Sequence, residues 1–287
     1  MMKDLLSSLP EGFVAEALAL TSPRDVSRLS SVNTFFRSAA EWDTVWANYV
    51  PPECLGEALD GARGSMKELY LRLCDQPIII EEGNKSFWLD KCTGKKCYML
   101  AAKQLSIALV DSPSCWRWTS IPESRFTEVA ELISVCSLEV TGNVNTSILS
   151  PNTAYVAHLV FMTTAKAYGF EYQPVEVYIG PYEGNWHARM VYLDPHAKKR
   201  RRLRPPRHIG MFSRGAFANY NVVPSPSEDN CPKHREDGWC EVEIGEYFKK
   251  GEDEVQLEMN IKEVKGGNWK TGLIIQGIEI RPKNIHN

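Results

Sequence analysis

The spacing of apolar residues changes near Pro77, and this change most constrains the fold. Between residues 5 and 51, apolar residues recur every three or four positions, which is the spacing of amphipathic helices. Beyond Pro77, apolar and polar residues alternate in short runs separated by turn residues, as in antiparallel strands. A chain of 287 residues has room for one large domain and one small one. The sequence therefore predicts an α+β protein, with a small helical segment before a larger β-rich body.

Helix-start signals divide the first segment. Leu9-Pro10 suits a first helical turn, because the N–H that proline lacks would be unpaired there. Ser22-Pro23-Arg24-Asp25 predicts a second start, with serine as N-cap, proline at the first helical position and aspartate near the free amides. The Phe35-Phe36 pair indicates a third helix, and Pro51-Pro52 stops the segment. We therefore expect three helices within residues 1–51.

About forty residues with this many aromatic side chains cannot enclose a full core alone. Composition leaves two interpretations open. The helices could pack as a cap on the body of their own chain, or a partner protein could complete their surface.

A helical linker is predicted for residues 52–80, because Ser65 to Glu68 has the pattern of a capping box. From residue 81 to 287 the alternating runs predict an antiparallel β-sandwich of jelly-roll type. A single helical turn is also expected at Phe126 to Leu132. The predicted strands are Lys85–Lys91, Cys97–Ala102, Leu105–Asp111, Leu132–Thr141, Ala154–Thr163, Val175–Gly180, Trp239–Gly245, Val255–Val264 and Leu273–Arg281.

Composition and motifs exclude several classes of function. The net charge of −3 gives no general attraction to nucleic acid or anionic membranes. No apolar run is long enough to cross a bilayer, and the first residues lack the apolar region of a secretory signal. We therefore expect a cytoplasmic and nuclear protein whose eight cysteines stay reduced.

Neither a metal nor a cofactor is expected. Cys231, His234 and Cys240 approach a zinc pattern, but a fourth ligand at regular spacing is missing, so a structural role is favoured. Catalytic motifs for hydrolases, metalloproteases and nucleotide-binding enzymes are absent from the sequence. Asp111 and Glu263 could be imagined as a glycosidase pair, but the sequence does not give the separation that this reaction requires.

The segment from Leu9 to Trp46, LPEGFVAEALALTSPRDVSRLSSVNTFFRSAAEWDTVW, resembles the F-box found in plants before a phloem-protein-2-like lectin domain. The resemblance implies binding to a Skp-type adaptor protein, and through it to a cullin–RING ubiquitin ligase, with apolar side chains filling a groove of the partner. Gly12-Phe13 departs from the family pattern, which usually has an acidic or glycine residue followed by cysteine. The implied adaptor contacts are Leu9, Pro10, Val14, Leu18, Leu29 and Phe36.

The body resembles the phloem-protein-2-like, Nictaba-type lectin domain from about Lys85 to Lys283. The segments that carry this resemblance are KSFWLDKCTGKKCYMLAAKQLSIAL at 85–109, SPSCWRW at 112–118, FTEVAEL at 126–132, YVAHLVF at 155–161, DGWCEVEIGEYF at 237–248 and NWKTGLIIQGIEIRP at 268–282.

A sugar site is implied by this second resemblance, built in the family from two tryptophans and two glutamates. Trp116 and Glu263 match that pattern, whereas Leu109 and Gln256 replace a tryptophan and a glutamate, with Glu254 as an alternative to Gln256. Leucine has no flat ring for a sugar, and glutamine forms weaker hydrogen bonds than a carboxylate. We therefore expect weak or absent binding to N-acetylglucosamine oligomers.

The run KKRRRLRPPR at Lys198 to Arg207 contains seven basic residues and no acidic one. It is a solvated insertion, a nuclear-import signal or a contact for a phosphate-rich partner, and the import signal is favoured. No aromatic residue accompanies it, so nucleic-acid recognition is not expected.

The main hypothesis from the sequence is a non-catalytic, substrate-recruiting subunit of a Skp–cullin–F-box ubiquitin ligase. The sequence does not identify its target proteins, and N-glycosylated proteins are one class considered. The alternative is a nucleocytoplasmic carbohydrate-binding lectin that acts without a ligase. A hydrolase ranks far behind both.

Overall fold

The computed structural model describes residues 9–54, 64–171, 173–182, 184, 188–197, 199, 225–251, 254–263 and 267–283. The chain divides into two compact units. A helical unit comprises Met1–Ile78 together with Phe87–Cys97, and a β unit comprises Ile79–Ser86 together with Tyr98–Asn287. Helices of the length and apolarity needed to span a membrane are not found among these described residues.

Within its described residues, the helical unit contains α1 (Glu11–Ala19), α2 (Pro23–Ser30), α3 (Thr34–Ala39), α4 (Asp43–Ala47) and α5 (Met66–Asp75). The expectation of three helices before Pro51 is therefore wrong in number, since residues 9–51 alone contain four, α1 to α4. The extra boundary lies at Trp42, whose extended backbone separates α3 from α4. The described part of the predicted linker forms α5 and the whole of the first strand, Ile78–Ile80, so residues 78–80 are not helical as predicted. Residues 55–63 lie outside the described residues.

Capping side chains define three of these helix starts. The Ser22 hydroxyl accepts a hydrogen bond from the Asp25 amide at 3.2 Å, with Pro23 at the first helical position. Ser65 and Glu68 form a reciprocal capping box at α5, so the predictions at Ser22 and Ser65 are confirmed. Asn33 caps α3 in the same way and was not predicted.

The core of the helical unit is closed by a turn that comes later in the chain. Trp46 and Tyr70 pack with their ring centroids 5.2 Å apart. The Tyr70 hydroxyl donates to the carbonyls of Asp90 and Lys91, each at 3.1 Å. The Arg24 amide donates to the carbonyl of Cys92 at 3.2 Å. Residues 90–92 therefore supply backbone acceptors that the helices use.

The strands with their bounds are β1 (Ile78–Ile80), β2 (Lys85–Leu89), β3 (Lys96–Ala101), β4 (Ser106–Ile107), β5 (Trp116–Thr119), β6 (Val129–Leu132), β7 (Leu138–Asn145), β8 (Thr153–Tyr168), β9 (Val175–Pro181), β10 (Arg189–Val191), β11 (Lys233–His234), β12 (Cys240–Lys249), β13 (Gln256–Glu263) and β14 (Thr271–Pro282).

Two antiparallel sheets form the β unit. One contains the order β3-β14-β8-β12-β11, with β6 paired to β14 and β5 paired to β6. The other has the order β10-β9-β13-β7-β4. The register along β14 places Ile278 opposite Leu159 of β8 and Leu100 of β3. A mostly antiparallel β body is thus confirmed, and its jelly-roll class remains a prediction.

Glycines mark where the two sheets face each other. A Cβ atom on Gly142 of β7 would lie 2.9 Å from Ile278 Cδ1 of β14, which belongs to the other sheet. A Cβ atom on Gly245 of β12 would lie 2.7 Å from Ile179 Cγ2 of β9, again across the sheets. Side-chain space between the sheets is therefore filled, as close packing of a protein interior requires.

Three predicted features differ from the structure or lie outside it. Only Ser106–Ile107 of the predicted strand Leu105–Asp111 is extended, because the chain turns at Leu109, where φ is +62°. The helical turn expected at Phe126 to Leu132 is wrong, since Val129–Leu132 pairs with β5 and β14 as strand β6. The basic run Lys198 to Arg207 lies outside the described residues, apart from Lys199.

Candidate functional site

Large apolar side chains are exposed at the start of the helical unit. Phe13 is 66% exposed, and Leu9 and Trp42 are also exposed. Trp42 lies against α1, where its indole N–H donates to the Glu11 carboxylate at 3.1 Å. A Cβ atom on Gly12 would lie 3.8 Å from the same indole ring. We call Leu9, Phe13 and Trp42 the α1 apolar surface.

The predicted adaptor contacts divide by burial. Leu9 and Pro10 are exposed, and Leu29 and Phe36 are half-buried. Val14 and Leu18 are buried in the helical unit, so in this structure their side chains support the core. Leu9 and Pro10 are therefore the contacts best placed to meet a partner directly.

Sequence reasoning missed Phe13 and Trp42 as exposed residues. The sequence of α1 could have indicated that Phe13 is exposed, because this helix is apolar on more than one side. Val14, Ala15 and Leu18 fill the core, and Phe13 lies outside that buried set. A helix that is apolar around most of its circumference needs more than one apolar neighbour.

Two of the predicted sugar-site residues lie side by side. Trp116 begins β5 and is buried, and its indole N–H donates to the carbonyl of Ala108 at 3.0 Å. Leu109 follows Ala108 in the turn and is 59% exposed. The Ala108 amide donates to the Glu139 carbonyl of β7 at 3.0 Å. Trp116 therefore has a structural hydrogen bond, and Leu109 presents the accessible side chain.

Glu263 lies at the end of the β7–β13 pair that contacts Ala108, because it is opposite Leu138, the neighbour of Glu139, in register. Its carboxylate forms an ion pair with Lys270, and the two side chains are 4% and 1% exposed. The Gln173 side-chain amide donates to Glu263 Oε1 at 3.0 Å, and Lys270 Nζ donates to the Asn268 carbonyl at 2.8 Å. Glu263 is thus part of a buried polar network.

Gln256 is not brought to the other three residues. It is exposed at the opposite end of β13, seven positions from Glu263, which at ~3.3 Å per residue is ~23 Å along the strand. The two side chains also point to opposite faces, because Glu263 shares the inward face with Leu257 and Ile261. Glu254, the alternative residue, precedes β13 and is exposed at the same distant end.

A second polar cluster joins β8, β12 and β14. Arg235 donates to the carboxylates of Glu241 at 2.9 Å and Glu279 at 3.2 Å. Arg281 donates to the same two carboxylates at 2.6 Å and 2.5 Å. We call these four residues the arginine–glutamate cluster. His158 lies beside it, with its Nε2 atom 3.4 Å from Arg281.

Burial and charge shift two pKa values there. Burial lowers the pKa of His158 to about 4, and the positive charge of Arg281 adds to this effect. Burial alone would raise the pKa of Glu241, but hydrogen bonds and charge from Arg281 outweigh it and lower that pKa to about 2. The cluster is an internally paired ionic network, and its carboxylates are engaged by arginine.

The residues considered for zinc also fall short of a site. Cys240 Sγ lies 3.4 Å from His234 Nδ1, and Cys231 is buried. Over the ranges that the structure describes, no three His, Cys, Asp or Glu side chains are grouped as a metal ion would need.

Helices with an exposed apolar surface, together with an antiparallel β body, define a two-part protein with a small helical unit and a larger β unit. The family model described as Phloem protein 2 matches residues 95–282. F-box protein PP2-B1 from Arabidopsis thaliana is 38% identical over 302 residues, covering 96% of this chain and 89% of the relative. F-box protein PP2-B10 from the same plant is 38% identical over 282 residues, covering 97% and 94%.

The chain therefore belongs to the phloem protein 2 family, among members named as F-box proteins. Among solved structures, the CBM22-1 xylan-binding domain from Paenibacillus barcinonensis matches at 10% identity and a TM-score of 0.26, covering 63% of this chain and 87% of that one. A similarity this low supports no argument about the present chain.

Proposed function

We propose that this chain is the substrate-recognition subunit of a Skp–cullin–F-box ubiquitin ligase. The observation that carries the proposal is the α1 apolar surface, in a chain whose relatives are named as F-box proteins. Burying one such side chain against a partner stabilises a complex by ~1.5–3 kcal/mol. Phe13 on α1, with Leu9 before the helix and Trp42 packed beside it, presents exposed apolar side chains that suit docking into a groove of an adaptor protein.

The chain contributes proximity in this proposal, and it performs no chemistry. One unit holds the adaptor, and the β unit holds a target protein, which raises the effective concentration of the target near the ubiquitin-loaded partner. A role without chemistry is consistent with the arginine–glutamate cluster, because its carboxylates are already held in ion pairs with arginines.

Recovery of a Skp-type adaptor with the full chain tests the docking surface. The variant Leu9→Ala/Pro10→Ala/Phe13→Ala should bind the adaptor at least ~10-fold more weakly, because it removes exposed apolar area without emptying the core. Phe248→Ala is the matched control, since Phe248 is an exposed aromatic residue on β12 of the β unit. Equal recovery of adaptor by the triple variant and the wild type would overturn the proposed docking surface.

A lectin is the second candidate function. It is favoured because the exposed Leu109 lies beside Trp116, at the end of the β7–β13 pair where Glu263 is found. A glycan array with wild type and Leu109→Trp provides the test. Binding of N-acetylglucosamine oligomers by wild type would support the lectin. A signal only for Leu109→Trp would indicate that the site lost its aromatic platform in this chain, and no signal for either protein would overturn the lectin.

We also propose that the basic run Lys198 to Arg207 gives access to the nucleus. A fluorescent fusion of the full chain should be both nuclear and cytoplasmic. Replacing the five arginines of the run with glutamine should shift it to the cytoplasm, and an unchanged distribution would contradict the import role.

A further inference from the structure

A cavity of about 390 Å³ lies within the helical unit, and its described lining comes from α2, α4, α5 and the Lys91–Cys92 turn. We call it the basic pocket. Its volume falls within the ~300–1,000 Å³ of typical small-molecule sites.

The floor of the basic pocket is apolar. Val26, Trp46 and Tyr70 contribute to it. Polar atoms of the two aromatic residues are already used, since the Trp46 indole N–H donates to the Ala40 carbonyl at 2.6 Å and the Tyr70 hydroxyl donates to residues 90 and 91. The floor therefore offers carbon surface and ring edges to a ligand.

The rim of the basic pocket is cationic. Arg24, Arg28, Lys67 and Lys91 line it, and none of its described lining residues is acidic. Lys67 and Lys91 each have one carboxylate partner outside the lining, and Arg28 lies 3.9 Å from Asp25. Arg24 has no ion pair with any residue described in the structure. Guanidinium groups at the rim thus remain able to bind an anion bidentately.

We propose that the basic pocket binds a small organic anion with a compact apolar body and a carboxylate or sulfonate group. The apolar floor and the cationic rim are complementary to the two halves of such a molecule. Inorganic phosphate would leave the floor unused, and a neutral apolar molecule would leave the rim unused. Because the lining elements lie far apart in the sequence, an occupant would contact α2, α5 and the 91–92 turn together and stabilise the helical unit.

Calorimetric titration of the full chain with 1-naphthoate tests this site. We expect saturable binding at one site per chain and a rise in the melting temperature of the protein. 1-Naphthamide, which has the same ring without the charge, should bind at least tenfold more weakly. Sodium phosphate, which has charge without an apolar body, should not compete.

The variant Arg24→Gln/Arg28→Gln should weaken 1-naphthoate binding at least tenfold. Arg37→Gln is the matched control, since Arg37 is an exposed arginine on α3 outside the lining, and it should bind as wild type does. Lys91→Gln gives an independent second variant if the double variant melts early. No binding by wild type, equal binding of the neutral amide, or unchanged binding in both rim variants would each overturn the proposal. The titration uses no adaptor, so it is independent of the ligase role.

Discussion

The buried ion pair of Glu263 and Lys270 gives one predicted sugar-site residue a structural role. Removing two charges from water is costly, and the pair is tolerated because hydrogen bonds from Gln173 and to Asn268 satisfy the remaining polar atoms. A residue type that suits sugar binding can therefore be retained for the stability of the β unit.

The substitution Glu263→Gln should lower the free energy of unfolding by about 3–5 kcal/mol, because it leaves the Lys270 ammonium buried without its counter-charge. The double variant Glu263→Leu/Lys270→Met should be closer to wild type than either single variant. Urea unfolding of wild type, Glu263→Gln, Glu263→Leu, Lys270→Met and the double variant measures both effects. A Glu263→Gln protein as stable as wild type would show that the pair contributes little.

Leu109 has backbone strain that a substitution can remove. Its φ of +62° is in the left-handed region, where a non-glycine residue costs ~1–2 kcal/mol, and its side chain is mostly exposed. Leu109→Gly should therefore raise the free energy of unfolding by up to ~1 kcal/mol, or leave it unchanged, in the same urea assay. A loss of more than ~1 kcal/mol would mean that the leucine side chain packs more than its exposure indicates.

Strands β3 and β14 approach each other closely at Gly277. This residue lies opposite Ala101, directly after a register shift in β14, and a Cβ atom on it would lie only 1.9 Å from the Leu100 carbonyl oxygen. Backbone oxygens cannot move aside as a side chain can. Any residue other than glycine at position 277 would therefore force β3 and β14 apart.

Gly277→Ala should lower the free energy of unfolding by about 2–3 kcal/mol because the strands must separate. Gly180→Ala on β9 is the matched control, since a Cβ atom there meets nothing within 4 Å. Thermal melts of the two variants compare the positions directly. Equal melting temperatures would contradict the close approach.

Local signals predicted some elements and missed others for identifiable reasons. The caps at Ser22 and Ser65 act within four residues, so the starts of α2 and α5 were predictable. Strand β6 was missed because its conformation depends on pairing with β14, more than a hundred residues later. The opposite faces of Gln256 and Glu263 could have been predicted, since an odd separation along one strand places two side chains on opposite sides.

At the scale of the whole molecule, the resemblance predicted the family, and the family match confirms it. The resemblance did not predict which residues from separate segments come into contact in the fold. Trp116 was predicted as a sugar-site residue, yet its ring is buried, and its indole N–H donates to the Ala108 carbonyl in the turn before Leu109. The basic pocket was equally hidden from the sequence, since its cations come from three separate segments.

Stability should depend on pH through His158. Its pKa is about 4 in the folded protein against 6.5 unfolded, so the unfolded chain binds the proton more readily between these values. The stabilisation is complete above pH 6.5 and falls by on the order of 3 kcal/mol as pH drops towards 4. Glu241 has the same sign at lower pH, where its stabilisation is lost as pH falls from 4.5 to about 2.

Urea unfolding of wild type and His158→Gln between pH 7 and pH 4.5 measures this dependence. The variant should lose much of the slope in that range. His234→Gln is the control, because this imidazole is exposed on β11. Equal slopes in wild type and His158→Gln would assign the pH dependence to other groups.

The contribution of residues 90–92 to the helical unit has a consequence for dissecting the protein. A truncated polypeptide that stops at residue 78 contains the five described helices but lacks the carbonyls that accept hydrogen bonds from the Tyr70 hydroxyl and the Arg24 amide. The Tyr70 phenol would then lose both acceptors, at a net cost of ~0.5–1.5 kcal/mol per hydrogen bond in a fragment with little stability to lose. A single cut keeps these carbonyls and the whole helical unit only if it falls after residue 97, and the fragment then also carries residues 79–86 of the β unit. Binding partners of the helical unit are therefore best sought with the uncut polypeptide.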